Sequence, residues 1–280
     1  MSRILGLGDN TVDTYTTAHI QYPGGNAVNV AVMARRLGAE TAYLGCLGMD
    51  SAGDLILRAL EAEQVDVSHC RRREGRNARV LIGHRDGDRY FIGSDRGVRG
   101  QYELTAADRD YIAGFDLVHS SIYSELNDEF PGLRPRIKQL SYDFSERWTY
   151  QLLRTTLPWI DIAFLSFPNR DTAECTDLLR TCIANGARMA VVTRGKDGAL
   201  ALADGRIYEQ SIVPTEVTDT LGAGDGFIAA FLIAQLSGRS VAQSLQEAAA
   251  YGAEVCTWHG AFGHGTAWHG EGADIAARRS

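Results

Sequence analysis

The sequence predicts an α/β protein of three layers, in which a mostly parallel central sheet is covered by helices on both faces and carries a small β-flap. Two observations support this fold class. Short apolar segments of strand length alternate with segments of helix length along most of the 280 residues. A single region, residues 79–93, instead has the pattern of an antiparallel hairpin, which does not fit a parallel core.

The elements of the first quarter of the chain follow this alternation. The run from Ile4 to Gly8 is a buried strand pattern, closed by a turn at Asp9-Asn10. The elements expected next are a helix over 26–37 with Gly38 after its end, a strand over 41–44, a helix over 51–63 with Ser51 as its N-cap, and a strand beginning at 65–67.

Four further apolar segments predict strands at 117–119, 140–143, 162–165 and 189–192, with helix-length segments between them. Such units form right-handed βαβ crossovers and a parallel sheet. The hairpin pairs 79–84 with 89–93 across a turn at 85–88, and residues 11–22 extend the flap. We expect one domain over 1–280, a lid formed by about 11–24 and 71–100, and a Gly- and His-rich end (260–280) that frays beyond its early residues.

Composition narrows the class of function. A formal charge of −7 argues against general nucleic-acid binding. No stretch of eighteen apolar residues and no export signal is visible, so we expect a cytoplasmic protein with no membrane partner. Five scattered cysteines without a C-x-x-C predict reduced thiols rather than a disulfide framework or a zinc site. The only lysines, Lys138 and Lys196, lie outside any Walker-type phosphate loop.

The strongest motif is Asp219-Thr-Leu-Gly222-Ala223-Gly224-Asp225-Gly, which opens an apolar helix. Small residues let a ligand approach the backbone, and the amides at a helix N-terminus form an anion site. Asp225 in the first turn can accept a proton from an attacking hydroxyl. The alternative is that Asp225 serves only the helix dipole.

A second motif, Gly24-Gly25-Asn26-Ala-Val-Asn29, also opens a helix and is preceded by Gly8-Asp9-Asn-Thr-Val-Asp13. Asp9, Asp13 and Asn29 offer the donors and acceptors that a polyhydroxylated ligand requires. Turn and capping chemistry is the alternative, because Asn and Asp favour both. A dinucleotide-binding fingerprint is set aside, since Thr11 stands where a third glycine is needed.

These segments, together with Gly45-x-x-Gly48-x-Asp50-x-x-Gly53, resemble both signatures of the ribokinase-like (PfkB) family of sugar kinases, in order along nearly the whole chain. The resemblance implies a ribokinase-like fold and transfer of phosphate from ATP to a sugar hydroxyl. By the same resemblance Asp225 would be the base, and the amides of Gly222, Ala223 and Gly224 would hold the transferring phosphoryl group. The remaining expected contacts are Asp9, Asp13, Gly25 and Asn29 with the sugar, and Thr193, Arg194, Gly195 and Gly198 with the nucleotide.

Within the family, Asn26 to Val32, Asp143-Phe-Ser145 and Trp258-His-Gly-Ala261 resemble the branch that phosphorylates fructoselysine at its 6-hydroxyl. A fructosamine of this kind is therefore the first expected substrate. A plain sugar or a nucleoside, and a non-catalytic sugar or nucleotide sensor, are the alternatives. The arginines at 71–73, 76 and 79 read first as a solvated surface run. The alternative is that Arg79 or a neighbour binds the substrate's carboxylate. A homodimer through the lid is a further expectation.

Magnesium is expected with ATP, because two phosphates must be bridged during transfer. The family pattern Asn-x-x-Glu, whose acidic member helps to organise magnesium, is replaced here by Ser166-Phe-Pro-Asn169. No protein ligand for the metal is therefore assigned. His259, His264 and His269 recur at a spacing of five in a Gly-rich segment, which does not favour a metal site.

Overall fold

The computed structural model describes residues 1–85 and 88–277 and contains a large central sheet and a smaller second sheet. The strands of the central sheet are, in spatial order, β13 (Arg206–Gln210), β12 (Ala199–Ala203), β11 (Met189–Thr193), β10 (Ile162–Ser166), β9 (Leu140–Asp143), β8 (Leu117–Ser121), β1 (Arg3–Gly8), β4 (Glu40–Gly48) and β5 (Arg71–Arg73). Neighbouring strands from β11 through to β5 in this order pair in parallel, and β12 and β13 add an antiparallel edge. The prediction of a mostly parallel sheet is therefore confirmed.

Helices cover both faces of this sheet. Successive residues of a strand point to opposite faces, so Ile4 of β1 enters one apolar core and Leu5 enters the other. The first core contains residues of α1, α2, α7 and α8, and the second contains residues of α3 to α6. The helices are α1 (Asn26–Arg36), α2 (Ser51–Ala62), α3 (Ala106–Ile112), α4 (Phe130–Leu133), α5 (Tyr150–Thr156), α6 (Thr172–Ala184), α7 (Ala223–Leu236), α8 (Val241–Val255) and α9 (Asp274–Ala277).

The second sheet, called the lid sheet below, combines the two segments that the sequence assigned to the flap with a short strand from the end of the chain. The predicted antiparallel pairing of 79–84 with 89–93 is present, and the turn residues Asp86 and Gly87 lie outside the described residues. In spatial order its strands are β14 (Thr266–Ala267), β3 (Ile20–Gly24), β2 (Thr11–Tyr15), β6 (Arg79–Arg85) and β7 (Asp88–Asp95).

Some local expectations are corrected. The N-cap of α2 is Asp50, whose carboxylate accepts the Gly53 amide at 3.0 Å, and Ser51 is already inside the helix. Residues 65–67 form one isolated bridge, between Ala42 and Asp66, rather than a strand. The segment from 264 to 277 contains β14 and α9, so the expected fraying is wrong for that part of the chain.

The arginine run at 71–73 is only partly exposed to solvent. It forms β5 at the edge of the central sheet rather than part of the lid sheet, because its backbone pairs with β4. Arg71 pairs with Asp108 of α3, and Arg72 pairs with Asp54 of α2 at 2.6 Å. These arginines therefore hold two helices to the sheet edge. No helix of the described chain has the length and apolar character needed to cross a bilayer.

Candidate active site

Polar residues converge at one edge of the central sheet because parallel strands end there together. Strands β1, β8 and β9 end at Gly8, Ser121 and Asp143, and α1 begins at this edge, after the β2–β3 hairpin that follows β1. Helix α7 contacts α1 and brings its own N-terminus to the same place, since Asn26 of α1 contacts Asp225 of α7. The edge therefore combines two helix N-termini with several buried carboxylates.

The N-terminus of α7 has the form of an anion site. Gly222 is its N-cap with φ of 78°, and no side chain caps the first amides. A Cβ added at Gly222 would lie 2.5 Å from the Cβ of Ala261, whereas one added at Gly224 would meet nothing within 4 Å. Gly222 is thus required by both conformation and packing, and the space beside Gly224 is open to a ligand.

Asp225 lies in the first turn of α7, partly buried, and its carboxylate faces α1. Oδ1 accepts a hydrogen bond from Asn26 Nδ2 at 2.7 Å, and Oδ2 accepts one from Asn29 Nδ2 at 2.6 Å. Burial raises the pKa of Asp225 to about 7, although the two asparagine hydrogen bonds favour the ionised form. A carboxylate with such a pKa, oriented beside an anion site, is suited to accept a proton at neutral pH.

Asp13 and Asn29 flank one spot next to this carboxylate. A Cβ at Gly24 would lie 2.3 Å from Asp13 Oδ2 and 3.8 Å from Asn29 Oδ1, so only glycine fits between them. Asn29 Oδ1 is buried and has no hydrogen-bond partner. A buried acceptor without a partner is costly, and a ligand hydroxyl that donates to Asn29 would remove this cost.

Asp9 contributes a further carboxylate to this edge of the sheet, and both of its oxygens accept hydrogen bonds from protein groups. Its carboxylate accepts the amides of Asn26 at 2.7 Å and Ala27 at 3.2 Å, and the hydroxyls of Ser121 at 2.7 Å and Ser124 at 3.0 Å. Asp9 thus caps α1, in place of Gly25, which supplies no side chain and has φ of 109°. The capping alternative considered for Asp9 describes its geometry better than direct contact with a sugar.

Arg79 is not brought to the site. Its register partner in β2 is Val12, so it lies on the face of the lid sheet opposite to Asp13. There its guanidinium donates to Thr14 Oγ1 at 2.7 Å and to Gln21 Oε1 at 2.6 Å. The assignment of Arg79 to a substrate carboxylate is therefore at odds with its position, because the lid sheet stands between them.

The segment after β11 has a backbone suited to a phosphate, and its buried arginine is already paired with protein groups. Gly195 and Gly198 have φ of 61° and 81°, and a Cβ added at Gly195 would meet nothing within 4 Å. Arg194 is buried and donates to Glu209 at 2.8 Å and to Thr172 at 3.2 Å, while Thr193 hydrogen-bonds Ser166 at 3.2 Å. The backbone, rather than the Arg194 side chain, is what this segment can offer to a nucleotide.

The described residues contain no group of three His, Cys, Asp or Glu side chains that could hold a metal ion. After β10, Asn169 is exposed with φ of 58°, and Asp171 and Glu174 are committed to a capping box on α6. This donor set does not form a protein cage for magnesium. It leaves the other mode that Mg²⁺ uses, in which phosphate oxygens and water supply most ligands.

Sequence reasoning missed Tyr15, His119 and Asp143 as members of this site. The Tyr15 hydroxyl donates to Asp219 at 2.6 Å, linking the lid sheet to the loop before α7. His119 and Asp143 contact Asn26 at 2.8 and 3.0 Å. Their position as polar residues at the ends of apolar strands was the available signal, since a buried His or Asp needs a partner.

The chain matches the model of the "pfkB family carbohydrate kinase" over residues 9–130 and 161–264. It is 39% identical to the fructosamine kinase FrlD of Bacillus subtilis (strain 168) over 267 residues, which cover 94% of each chain. It is 34% identical to the fructoselysine 6-kinase of Escherichia coli (strain K12), covering 94% of this chain and 100% of that one.

Solved structures show the same fold. Arabidopsis thaliana ribokinase, complexed with ribose and ATP, superposes with a TM-score of 0.82 at 21% identity over 93% of this chain and 94% of that one. The fructokinase of Vibrio cholerae O395 gives a TM-score of 0.75 at 23% identity over 94% and 95%. The chain therefore has the ribokinase-like fold and belongs to the pfkB family of carbohydrate kinases.

Proposed function

We propose that this sugar kinase transfers the γ-phosphoryl group of ATP to the 6-hydroxyl of fructoselysine or a closely related fructosamine. The observation that carries the proposal is the position of Asp225, whose carboxylate lies in the first turn of α7 beside uncapped amides. The relatives named for fructosamines, at 34–39% identity over 94% of the chain, support the choice of substrate.

In the proposed reaction the substrate hydroxyl gives its proton to Asp225 while its oxygen attacks the γ-phosphorus. The new O–P bond forms as the bond from the γ-phosphorus to the β–γ bridging oxygen breaks, and ADP leaves. The amides at Gly222, Ala223 and Gly224 stabilise the charge on the transferring group, because they point from a helix N-terminus. Asp13 and Asn29 hold the sugar through its hydroxyls.

ATP fits the open backbone at Gly224 and Gly195, where an added Cβ would meet no atom. When bound, Mg²⁺ would screen the charge of the β- and γ-phosphates and fix their geometry. We assign it to phosphate oxygens and water, with no protein carboxylate dedicated to it.

The lid sheet is proposed to close over the sugar as part of one domain. Its site-facing surface carries Tyr15, Tyr22 and Ile82, which pack together as a small apolar cluster. Apolar cover of this kind excludes water, which would otherwise compete with the sugar for the phosphoryl group. Because Tyr15 hydrogen-bonds Asp219, closing of the lid sheet would also affect the anion site at the N-terminus of α7.

The proposed setting is the cytoplasm, where ATP is available and where thiols such as the five free cysteines remain reduced.

A homodimer through the lid sheet stays a prediction. The outer face of the lid sheet around Arg79 is covered by the chain's own segment at Gly272 and Ile275. The surface proposed for a second copy is therefore the edge strand β7, where Phe91 is exposed. Light scattering on the purified protein tests this.

The experiment that tests the proposed function measures ADP release with Mg²⁺ and ATP against fructoselysine, fructose, ribose and adenosine. We expect the highest kcat/KM with fructoselysine and a phosphate on O6 by ³¹P–¹H NMR. Preference for fructose, ribose or adenosine would replace the fructosamine with a plain sugar or a nucleoside. Absence of turnover with every acceptor, while ATP still binds, would favour a sensor.

A further inference from the structure

Behind the carboxylate of Asp225 lies a chain of buried polar side chains, which the proposed mechanism does not use. It consists of Ser141, His119 and Asn26, with Asp143 beside Asn26. Ser141 and His119 have no exposed surface, and Asn26 and Asp143 are 7% and 9% exposed. Buried polar groups persist where their hydrogen bonds are satisfied, and the members of this group satisfy one another.

Asn26 is the centre of the group, and every polar atom of its side chain is used. Its Nδ2 donates one hydrogen to Asp225 Oδ1 at 2.7 Å and the other to Asp143 Oδ2 at 3.0 Å. Its Oδ1 contacts His119 Nε2 at 2.8 Å. The amide can adopt only this orientation, because a flip would turn its oxygen toward two carboxylates.

His119 fixes Asn26 from behind. Burial lowers the pKa of His119 to about 3, so the ring is neutral and carries one proton. That proton lies on Nε2, since Asn26 Oδ1 can only accept. Nδ1 then accepts from the hydroxyl of Ser141 at 2.8 Å. Directed hydrogen bonds therefore run from Ser141 through His119 and Asn26 to Asp225.

Asp143 and Asp225 each accept one of the two hydrogens of the same amide nitrogen, Asn26 Nδ2. Its Oδ1 accepts the Ser145 amide at 2.8 Å, and its Oδ2 accepts from Asn26. Burial, together with the charges of Asp225 and Asp9, raises the pKa of Asp143 to about 7. Two carboxylates that share one donor titrate as a coupled pair. The other titratable or charged groups around the pair are Asp9, Asp13, His119, Tyr123, Tyr142 and Arg147.

We propose that Asn26, held by His119 and Asp143, is a positioning residue that aims the Asp225 carboxylate at the substrate hydroxyl, and that the charge on Asp143, at the other hydrogen of the same amide, adds to burial in raising the pH above which Asp225 accepts the proton. The inference rests on the proposed function of Asp225 as base. It assigns no contact with substrate to Asn26, His119 or Asp143.

The test uses the pH dependence of kcat/KM, which a purely structural role would not move. Asp143→Asn removes a neighbouring negative charge, so the acid limb shifts about one pH unit lower. Asn26→Ala removes a donor to the ionised base, so the limb shifts about one pH unit higher and kcat falls about tenfold or more. Asp177→Asn, on the exposed face of α6, is the matched control and leaves both unchanged.

The role of His119 is tested by two variants. His119→Gln keeps an N–H donor for Asn26 and is expected to retain most of kcat, whereas His119→Leu removes it and lowers kcat while the KM for ATP stays the same. Thermal melting of each variant identifies any that fails to fold. Equal kcat in folded Gln and Leu variants would overturn the part assigned to His119.

A readout without substrate separates this inference from the proposed function. The carboxyl ¹³C signal of Asp225, followed by NMR against pH, is expected to titrate lower in Asp143→Asn and higher in Asn26→Ala. If the two midpoints equal that of the native protein, the inference is wrong even if the kinase is active. If they move as expected while no fructosamine is phosphorylated, the network stands and the proposed substrate is wrong.

Discussion

The hydroxyl of Tyr15, on the lid sheet, donates a 2.6 Å hydrogen bond to Oδ2 of Asp219, in the loop that leads into α7. Asp219 also accepts the amides of Leu221 at 3.0 Å and Gly260 at 3.2 Å. One carboxylate therefore joins the lid sheet, the anion loop and the C-terminal segment. We therefore expect closing of the proposed lid and shaping of the proposed phosphate site to be coupled through this side chain.

Tyr15→Phe removes this link while keeping the aromatic ring. A hydrogen bond to a charged acceptor contributes about 1.5–3 kcal/mol, so we expect the KM for the sugar to rise about tenfold or more. Steady-state kinetics with saturating ATP measure it. Tyr150→Phe, at an exposed position of α5, is the control and should leave KM unchanged. An unchanged KM in Tyr15→Phe would show that closure does not depend on Asp219.

We expect opposite outcomes when Gly222 and Gly224 are each replaced by alanine. Gly222→Ala forces a side chain onto a φ of 78° and within 2.5 Å of Ala261, so the melting temperature should fall by several degrees. Gly224→Ala adds a methyl in open space at the anion site, so stability should be kept while the KM for ATP rises. Calorimetry and ATP titration test this pair. Normal ATP binding by Gly224→Ala would place the phosphates elsewhere.

The raised pKa of Asp143 predicts how the stability of the folded protein varies with pH. Its pKa in the folded protein is about 7, above the value of about 3.9 for an exposed aspartate. Between these values the folded state keeps a proton that the unfolded chain has lost, so stability falls as pH rises from about 4 to about 7. Asp143→Asn should flatten this fall, by a few degrees in melting temperature between pH 5 and 8. Parallel melting curves of the two proteins against pH would contradict the raised pKa.

Arg79 is expected to act on stability rather than on substrate choice. Arg79→Met leaves Thr14 and Gln21 without their 2.7 and 2.6 Å partner, so the melting temperature should fall. The ratio of kcat/KM for fructoselysine to that for fructose should stay within about twofold, because Arg79 lies on the far face of the lid sheet. Arg180→Met, exposed on α6, is the control. A selective loss with fructoselysine would restore the carboxylate contact inferred from sequence.

Local patterns predicted six strands of the central sheet, because β1, β4, β8, β9, β10 and β11 each contain a short apolar run. They did not predict β5, an arginine segment that is a strand because it pairs with β4. They did not predict β12 and β13, which follow β11 as antiparallel edge strands, or β14, which is a strand only because it pairs with β3. A strand of two residues is too short to carry a sequence pattern of its own, so its pairing with a distant segment cannot be predicted locally.

The residues of the candidate site likewise fall into those with a local sequence signal and those without one. Asp225 and the glycines before it were found because a helix N-terminus has a local signature. Asp9 and Arg79 were given ligand roles that the side-chain contacts do not support, since the sequence does not say which neighbour satisfies a buried charge. Asn26, His119 and Asp143 meet across separations of more than ninety residues. Only the tertiary structure brings such a network together.

The central claim is that Asp225 accepts the proton of the sugar hydroxyl. Its most direct test compares transfer of labelled γ-phosphate to fructoselysine by the native protein and by Asp225→Asn, with ATP affinity measured in both. We expect transfer to fall by about 10²–10⁴ while ATP binding is retained, and native kcat/KM to fall as pH drops through about 7. Transfer by Asp225→Asn within a few-fold of the native rate would contradict the account.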